Sequence, residues 1–169
     1  MKNEYRITWN LYKSWVTANM FKGKSLFFRI FWCLLLVLMI VFGIISLNIY
    51  DVKEISIYFF LLSLLCLYNA FLRHILLAKK TYRKLSETYG KENWTRSILF
   101  ENDNILLTDN NVSIKYKYSD IVDIKENGNE IFIIFNNKSF IRLYKSAFIG
   151  CDWSECKKFL KDKSTLTYQ

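Results

Sequence analysis

The sequence predicts a membrane protein of the α+β class, with a two-helix transmembrane hairpin followed by a small antiparallel β-sheet or barrel and a C-terminal helix. Hydrophobic residues make up 52% of the 169 residues, and they concentrate in two charge-free stretches, residues 30–47 and 55–72. As a helix each stretch would cover roughly 27 Å, close to the bilayer's hydrocarbon core of about 30 Å. After residue 94 the pattern changes to the alternation that is typical of β-strands.

These patterns divide the chain into four segments. Residues 1–29 should hold a cytoplasmic strand and an amphipathic helix, and residues 30–72 the transmembrane hairpin. Residues 73–90 are expected to continue the second helix as a basic stalk. Residues 91–169 should form a cytoplasmic β domain that ends in a helix.

Two alternatives to a transmembrane hairpin fit the pattern less well. Buried helices of a soluble core normally keep a polar stripe, and these stretches contain few polar residues, such as Ser46, Ser63 and Asn69. A cleaved signal peptide would have a shorter apolar core and a small-residue cleavage site after it, which the first stretch lacks. Both stretches are therefore expected to cross the bilayer.

The distribution of charge predicts the orientation. The formal net charge of +9 lies mostly in residues 1–29 and 73–89, whereas the loop after residue 47 carries Asp51, Lys53 and Glu54. Basic residues on the short flanks of spans favour the cytoplasm, so both termini are expected there. The β domain is nearly neutral, which argues against a nucleic-acid partner.

The basic flanks are expected to contact anionic lipid headgroups. The densest part is the stretch RHILLAKKTYRK, residues 73–84. The predicted membrane-surface contacts are Lys22, Lys24, Arg29, Arg73, Lys79, Lys80, Arg83 and Lys84.

Helix spacing also predicts packing contacts near the spans. Tyr5 and Ile7 alternate with charged residues as in a short edge strand, and a helix should start at Trp9. That helix would lie either on the headgroups or on the protein's own cytoplasmic domain. Asn69 is a candidate interhelical polar contact, within the hairpin or with a second membrane protein. A packing stripe on the stalk, facing the N-terminal helix, is predicted to comprise Ala78, Tyr82, Leu85 and Tyr89, before a stop at Gly90.

The C-terminal segment has the pattern of about six strands and one helix. The stretch VSIKYKY, residues 112–118, alternates as a half-buried strand would. Asn127-Gly128-Asn129 predicts a hairpin turn, because Asn and Gly tolerate positive φ. Asp152 and Glu155 form a capping box, and the helix that begins there should bury Trp153, Cys156, Phe159 and Leu160.

The order of these segments resembles the YcxB-like family of small bacterial membrane proteins. The resemblance rests on YKYSDIVDIKE (residues 116–126), IFIIF (131–135) and LYKSAF (143–148), with Tyr144 where the family tends to have proline. It implies a pleckstrin-homology-like (PH-like) cytoplasmic domain and a place in the bacterial inner membrane. It implies no catalytic residues.

The sequence contains no recognisable motif for catalysis, metal binding or cofactor binding. His74 is the only histidine, and no zinc, Walker A, dinucleotide or nucleophile-elbow pattern occurs. Asp120, Asp123 and Glu126 are interpreted as a solvated edge rather than a carboxylate site. The cysteines are expected to be free thiols. We therefore expect neither an enzyme nor a bound cofactor.

The predicted function is binding or regulation of another membrane component by the cytoplasmic domain. The partners would be the lipid bilayer and a membrane protein, or further copies of this chain. One alternative is an immunity protein against a membrane-active bacteriocin or toxin, which would suit a small basic hairpin protein. A second is a hydrolase without a recognisable motif.

Overall fold

A computed structural model describes residues 1–18, 20, 23–48, 53–90 and 92–164. The chain forms two compact units. The sheet unit comprises residues 1–8 and 86–169, and the helical unit comprises residues 9–85. The short segment before the first helix therefore belongs to the same unit as the C-terminal half of the chain.

The helical unit contains the two apolar helices that the sequence predicts. Its elements are α1 (Trp9–Ala18), α2 (Gly23–Asn48), α3 (Lys53–Leu67), a five-residue π-helix (Tyr68–Leu72) and α4 (Arg73–Thr88), whose last turn lies in the sheet unit. Lys53–Thr88 form one helix of 36 residues without a break. This confirms that the second apolar helix runs on into the basic stalk. The helix ends before Gly90, whose φ of +71° makes it the predicted left-handed stop.

Among its described residues, the sheet unit contains eight antiparallel strands, two short 3-10 helices (Tyr118–Asp120 and Lys145–Ala147) and one α-helix besides the last turn of α4. The strands and the α-helix are β1 (Lys2–Ile7), β2 (Trp94–Phe100), β3 (Asn104–Asp109), β4 (Val112–Lys117), β5 (Ile121–Asn127), β6 (Glu130–Phe135), β7 (Phe140–Tyr144), β8 (Phe148–Ile149) and α5 (Trp153–Lys163). The strands form a five-stranded sheet in the order β4-β3-β2-β1-β8 and a three-stranded sheet in the order β5-β6-β7.

Strand β1 lies inside the larger sheet, so the prediction of an edge strand was wrong. It pairs with β2 along its whole length, from Lys2↔Leu99 to Ile7↔Trp94, and with the two residues of β8 on its other side. Asn3 and Ile7 have no exposed surface. The sequence pattern could not show this position, because β8 returns to β1 from the far end of the chain.

The core of the sheet unit lies between the two sheets and α5. Alternate residues of β6 and β7 are fully buried, among them Ile131, Ile133 and Ile141. From α5, the predicted side chains of Trp153, Cys156 and Leu160 join them, with Phe159 partly buried beside them. Burial of such apolar surface is the main stabilising contribution to a domain of this kind.

The local turn and cap signals are confirmed, but the expected burial of β4 is not. Gly128 has a φ of +58° in the turn between β5 and β6. Asp152 accepts a hydrogen bond from the backbone N–H of Glu155 at 2.8 Å, as an N-cap does. On β4, Val112 and Ile114 are 38% and 46% exposed. That strand is at the edge of its sheet, and only its end near Tyr116 packs on the core.

Candidate functional site

The apolar side chains of α2 and α3 are largely exposed. In the most apolar stretch of α2 only 11% is buried. In the most apolar stretch of the helix Lys53–Thr88 the buried share is 28%. On α2, Phe27 and Leu34 are 76% and 66% exposed. A helix of a soluble core would bury its apolar face against other elements. These two helices are therefore candidate membrane spans.

Small residues form the contact between α2 and the helix after it. Along the apolar part of these helices, the buried residues are small: Gly43 and Ser46 of α2, Ser56, Ser63 and Cys66 of α3, and Ala70 of the π-helix. A methyl group added at Gly43 would come within 3.2 Å of the ring of Phe60, so the backbone of α2 approaches α3 closely. Close approach of this kind is typical of helix pairs in membranes, where small residues form the interface. The repeat of small residues at 56, 63, 66 and 70 is the sequence signal that could have identified it.

The hydrogen bonds of the Asn69 side chain join it to its own helix and not to α2. Its side-chain N–H donates to the carbonyl of Leu65 at 2.9 Å, and its side-chain oxygen accepts from Arg73 at 3.4 Å. Both partners belong to the same continuous helix. Asn69 lies in the π-helix, where the backbone N–H of Arg73 donates to the carbonyl of Tyr68.

The predicted membrane-surface residues are mostly exposed, with one clear exception. Arg29 is only 4% exposed, so its side chain is enclosed by protein. Lys22 lies outside the described residues. The exposed side chains are those of Lys24, Arg73, Lys79, Lys80, Arg83 and Lys84.

The predicted packing stripe on α4 is buried at its centre. Ala78 and Tyr82 are 7% and 6% exposed, and Leu85 is half-buried. The ring of Tyr82 lies 5.6 Å from that of Trp9 and 5.5 Å from that of Tyr12, both on α1. This confirms the expected contact with the N-terminal helix. Tyr89, at the other end of the predicted stripe, belongs to the sheet unit and packs on Trp94 at 5.0 Å between ring centres.

Polar side chains fasten β1 to both sheets. The Asn3 amide donates to the carbonyl of Tyr144 at 2.7 Å, and the Tyr5 hydroxyl donates to that of Arg142 at 2.9 Å. Burial raises the pKa of Tyr5 to about 12. On the neighbouring strands, the guanidinium of Arg96 donates two hydrogen bonds to the carboxylate of Asp109, at 2.7 and 2.5 Å. Bonded to one another in this way, these groups serve to hold strands together.

The carboxylates that the sequence places on β5 and before it do not converge. Asp123 pairs with Lys125 at 3.6 Å, whereas Glu126 pairs with Lys145 and Lys157 at 2.8 and 2.7 Å. Within the described ranges, no three His, Cys, Asp or Glu side chains are grouped so that they could hold a metal ion. The four cysteines are free thiols.

Comparison with models of known protein families, with curated proteins and with solved structures finds no match for this chain. The resemblance to the YcxB-like family therefore stays a prediction.

Proposed function

We propose that this chain is a two-span protein of the bacterial inner membrane, with both termini in the cytoplasm. Its sheet unit would be a non-enzymatic, PH-like module that binds or regulates another membrane component. The exposed apolar surface of α2 and α3 supports insertion, because side chains such as Leu34 and Leu64, 66% and 61% exposed, would otherwise face water.

The observation that carries this proposal is the pairing of β1 with β2. Strand β1 precedes the first candidate span, strand β2 comes after the second, and the two are joined by six residue pairs in one sheet. Both ends of the hairpin must then lie on the same side of any membrane that it crosses, which requires an even number of spans. The pairing also argues against a cleaved signal sequence, since cleavage would remove a strand from the interior of the sheet.

The charges favour the cytoplasmic side for the sheet unit. Exposed basic residues such as Lys24 and Lys79 lie on the flanks that lead into the sheet unit. Short flanks that are rich in basic residues generally remain in the cytoplasm. There each basic residue near the membrane surface gains about 1 kcal/mol of binding free energy from anionic lipids.

A binding role suits the sheet unit better than catalysis. Its most buried polar side chains, Asn3, Asp109 and Arg142, are 0%, 3% and 8% exposed. Asn3 and Asp109 bond strands to one another. Two sheets closed by a terminal helix are compatible with the PH-like architecture that the family resemblance implies.

Cysteine accessibility in intact cells tests this topology. In a variant without the four native cysteines, a cysteine placed at any of residues 50–53 should react with an impermeant thiol reagent. A cysteine in place of Lys163, exposed on α5, should react only after the cells are opened. Labelling at 163 in intact cells, or protection of residues 50–53, would contradict the proposed orientation.

A further inference from the structure

A basic pocket opens in the sheet unit between the end of β5, the turn after β7, and α5. It has a volume of about 510 Å³. Its lining consists of Glu126, Lys145, Trp153, Ser154, Lys157, Lys158 and Lys161. All of these residues lie in the sheet unit, so the geometry of the pocket does not depend on membrane insertion.

The lining of the pocket has an excess of positive charge, and ion pairs hold two of its lysines in place. Four of its residues are lysines and one is a glutamate. The carboxylate of Glu126 holds the ammonium groups of Lys145 and Lys157, which come from two different elements, at 2.8 and 2.7 Å. The hydrogen bond from Lys145, which has the larger effect, and that from Lys157 together lower the pKa of Glu126 to about 2. The carboxylate is therefore charged at neutral pH and keeps both lysines in place.

A buried hydrogen-bond donor also faces this pocket. Trp153 is 8% exposed, and its indole Nε1–H has no hydrogen-bond partner among the described residues. The Trp153 side chain lies near Glu126, and it contributes to lowering the pKa of that carboxyl. A buried polar group left without a partner costs free energy, and an acceptor atom in the pocket would remove that cost.

We propose that this pocket binds a phosphate-bearing anion, a phosphomonoester or a pyrophosphate. Such a group carries nearly two negative charges and several acceptor oxygens, which match several ammonium groups and an N–H donor. A carboxylate offers one charge and two oxygens, and it would leave most of these donors unmatched. Lys158 and Lys161, one turn apart on α5, add two further positive charges to the same lining. The phosphate could belong to a lipid headgroup or to a soluble ester.

Titration of the full chain with inorganic pyrophosphate tests this site. The protein is placed in phosphatidylcholine nanodiscs at about 0.15 M salt, where weak surface attraction is screened. Calorimetry should show saturable binding with a dissociation constant below about 1 mM. The double variant Lys158→Gln/Lys161→Gln should weaken it by about tenfold or more.

Two further variants make the result specific. Lys115→Gln/Lys117→Gln removes the same charge from exposed positions on β4, outside this pocket, and should change the affinity less than about twofold. Lys158→Arg/Lys161→Arg keeps the charge and should retain most of the binding. The absence of saturable binding to the native chain, or an equal loss in the β4 variant, would overturn the proposal.

The source of the phosphate is distinguished in the same nanodiscs. If the natural ligand is a lipid headgroup, phosphatidate in the bilayer should compete and weaken pyrophosphate binding more than phosphatidylglycerol does. The Lys158→Gln/Lys161→Gln variant should lose this difference. If the two lipids have equal effects while binding remains saturable and dependent on Lys158 and Lys161, the site belongs to a soluble phosphate ester.

Discussion

In the sheet unit the large apolar side chains point inward, whereas in the helical unit they point outward. Ile133 and Leu160 have no exposed surface, while Leu34 is 66% exposed and the buried positions of its helix include Gly43 and Ser46. The first arrangement is what the hydrophobic effect produces in water. The second suits a hydrocarbon environment, where close contact between backbones replaces the hydrophobic effect as the source of helix association. The two units should therefore respond differently to the same substitution.

Each unit contains one buried native cysteine that can serve as its own reporter. Cys66 lies in the helical unit at 3% exposure and Cys156 in the sheet unit at 0%. Burial raises the pKa of Cys156 to about 12, so its thiol should react only when the sheet unit opens. With Cys33 and Cys151 replaced by alanine, pulsed thiol labelling in mild detergent monitors the opening of the two units separately.

Deletion of residues 1–7 should have the largest effect. It removes the six pairs between β1 and β2, the buried side chains of Asn3 and Ile7, and the bond from Tyr5 to Arg142. We expect the free energy of unfolding of the sheet unit to fall by about 5 kcal/mol or more, which is enough to unfold a domain of ordinary stability. Cys156 should then label without denaturant, while Cys66 stays protected. The control Arg6→Ala changes an exposed residue of the same strand. Continued protection of Cys156 in the deletion variant would show that β1 is dispensable.

A matched pair of leucine substitutions compares the two units directly. Leu160→Ala leaves a cavity in the core of the sheet unit and should cost about 2–5 kcal/mol. Leu34→Ala truncates a side chain that is 66% exposed. It should change the free energy of unfolding of either unit by less than about 0.5 kcal/mol. The denaturant dependence of thiol labelling at Cys156 and Cys66 measures the effect of each substitution on the stability of each unit. A similar loss for Leu34→Ala would mean that α2 is packed against protein on that side.

The parts of this fold that the sequence predicted are those with local causes. Apolar runs long enough to span a bilayer, the alternation of β6, the turn at Gly128 and the cap at Asp152 each depend on a few neighbouring residues. The interior position of β1 depends on its pairing with β8, and these two strands are far apart in the sequence. Alternation also predicted burial of Val112 on β4, but it cannot show which strand of a sheet lies at the edge.

The candidate sites show the same limit. The stripe at Ala78 and Tyr82 was predictable because residues four apart share a helix face. The burial of Arg29 was not, because a basic residue at the end of a span has the same local sequence whether it faces lipid or protein. The basic pocket joins Glu126 to lysines from two later elements, so only the folded sheet unit brings them together.

Gly43→Leu should open the helical unit without affecting the sheet unit. A Cβ at Gly43 would already lie 3.2 Å from Phe60, and a larger side chain must push α2 and α3 apart. Overpacking of this kind costs about 1–3 kcal/mol. Labelling of Cys66 should therefore rise, with Cys156 unchanged. The control Val41→Leu adds a methylene at a position that is 46% exposed and should leave Cys66 protected. Equal labelling in the two variants would show that the small-residue contact does not hold the hairpin together.

The smallest expected effect is the pH dependence that Glu126 gives the sheet unit. Its pKa in the folded chain is about 2, below the ordinary value of 4.5, because Lys145 and Lys157 bind the carboxylate. A lowered pKa means that the stabilisation is complete above about pH 4.5 and is lost as the pH falls toward 2. The side chain is 30% exposed, so solvent reduces the contribution to below about 1 kcal/mol.

Denaturant unfolding at pH 6 and pH 3, monitored by far-ultraviolet circular dichroism, measures this contribution. Other carboxylates also titrate in that range, so the informative quantity is the difference between the native chain and Glu126→Gln. The native chain should lose more stability than the variant, because only the native chain can be protonated at this position. Asp123→Asn is the control, since Asp123 is 47% exposed and lies 3.6 Å from Lys125. If Glu126→Gln and the native chain lose the same stability between pH 6 and pH 3, the two lysines do not hold Glu126 in solution, and the framework of the basic pocket is looser than its geometry indicates.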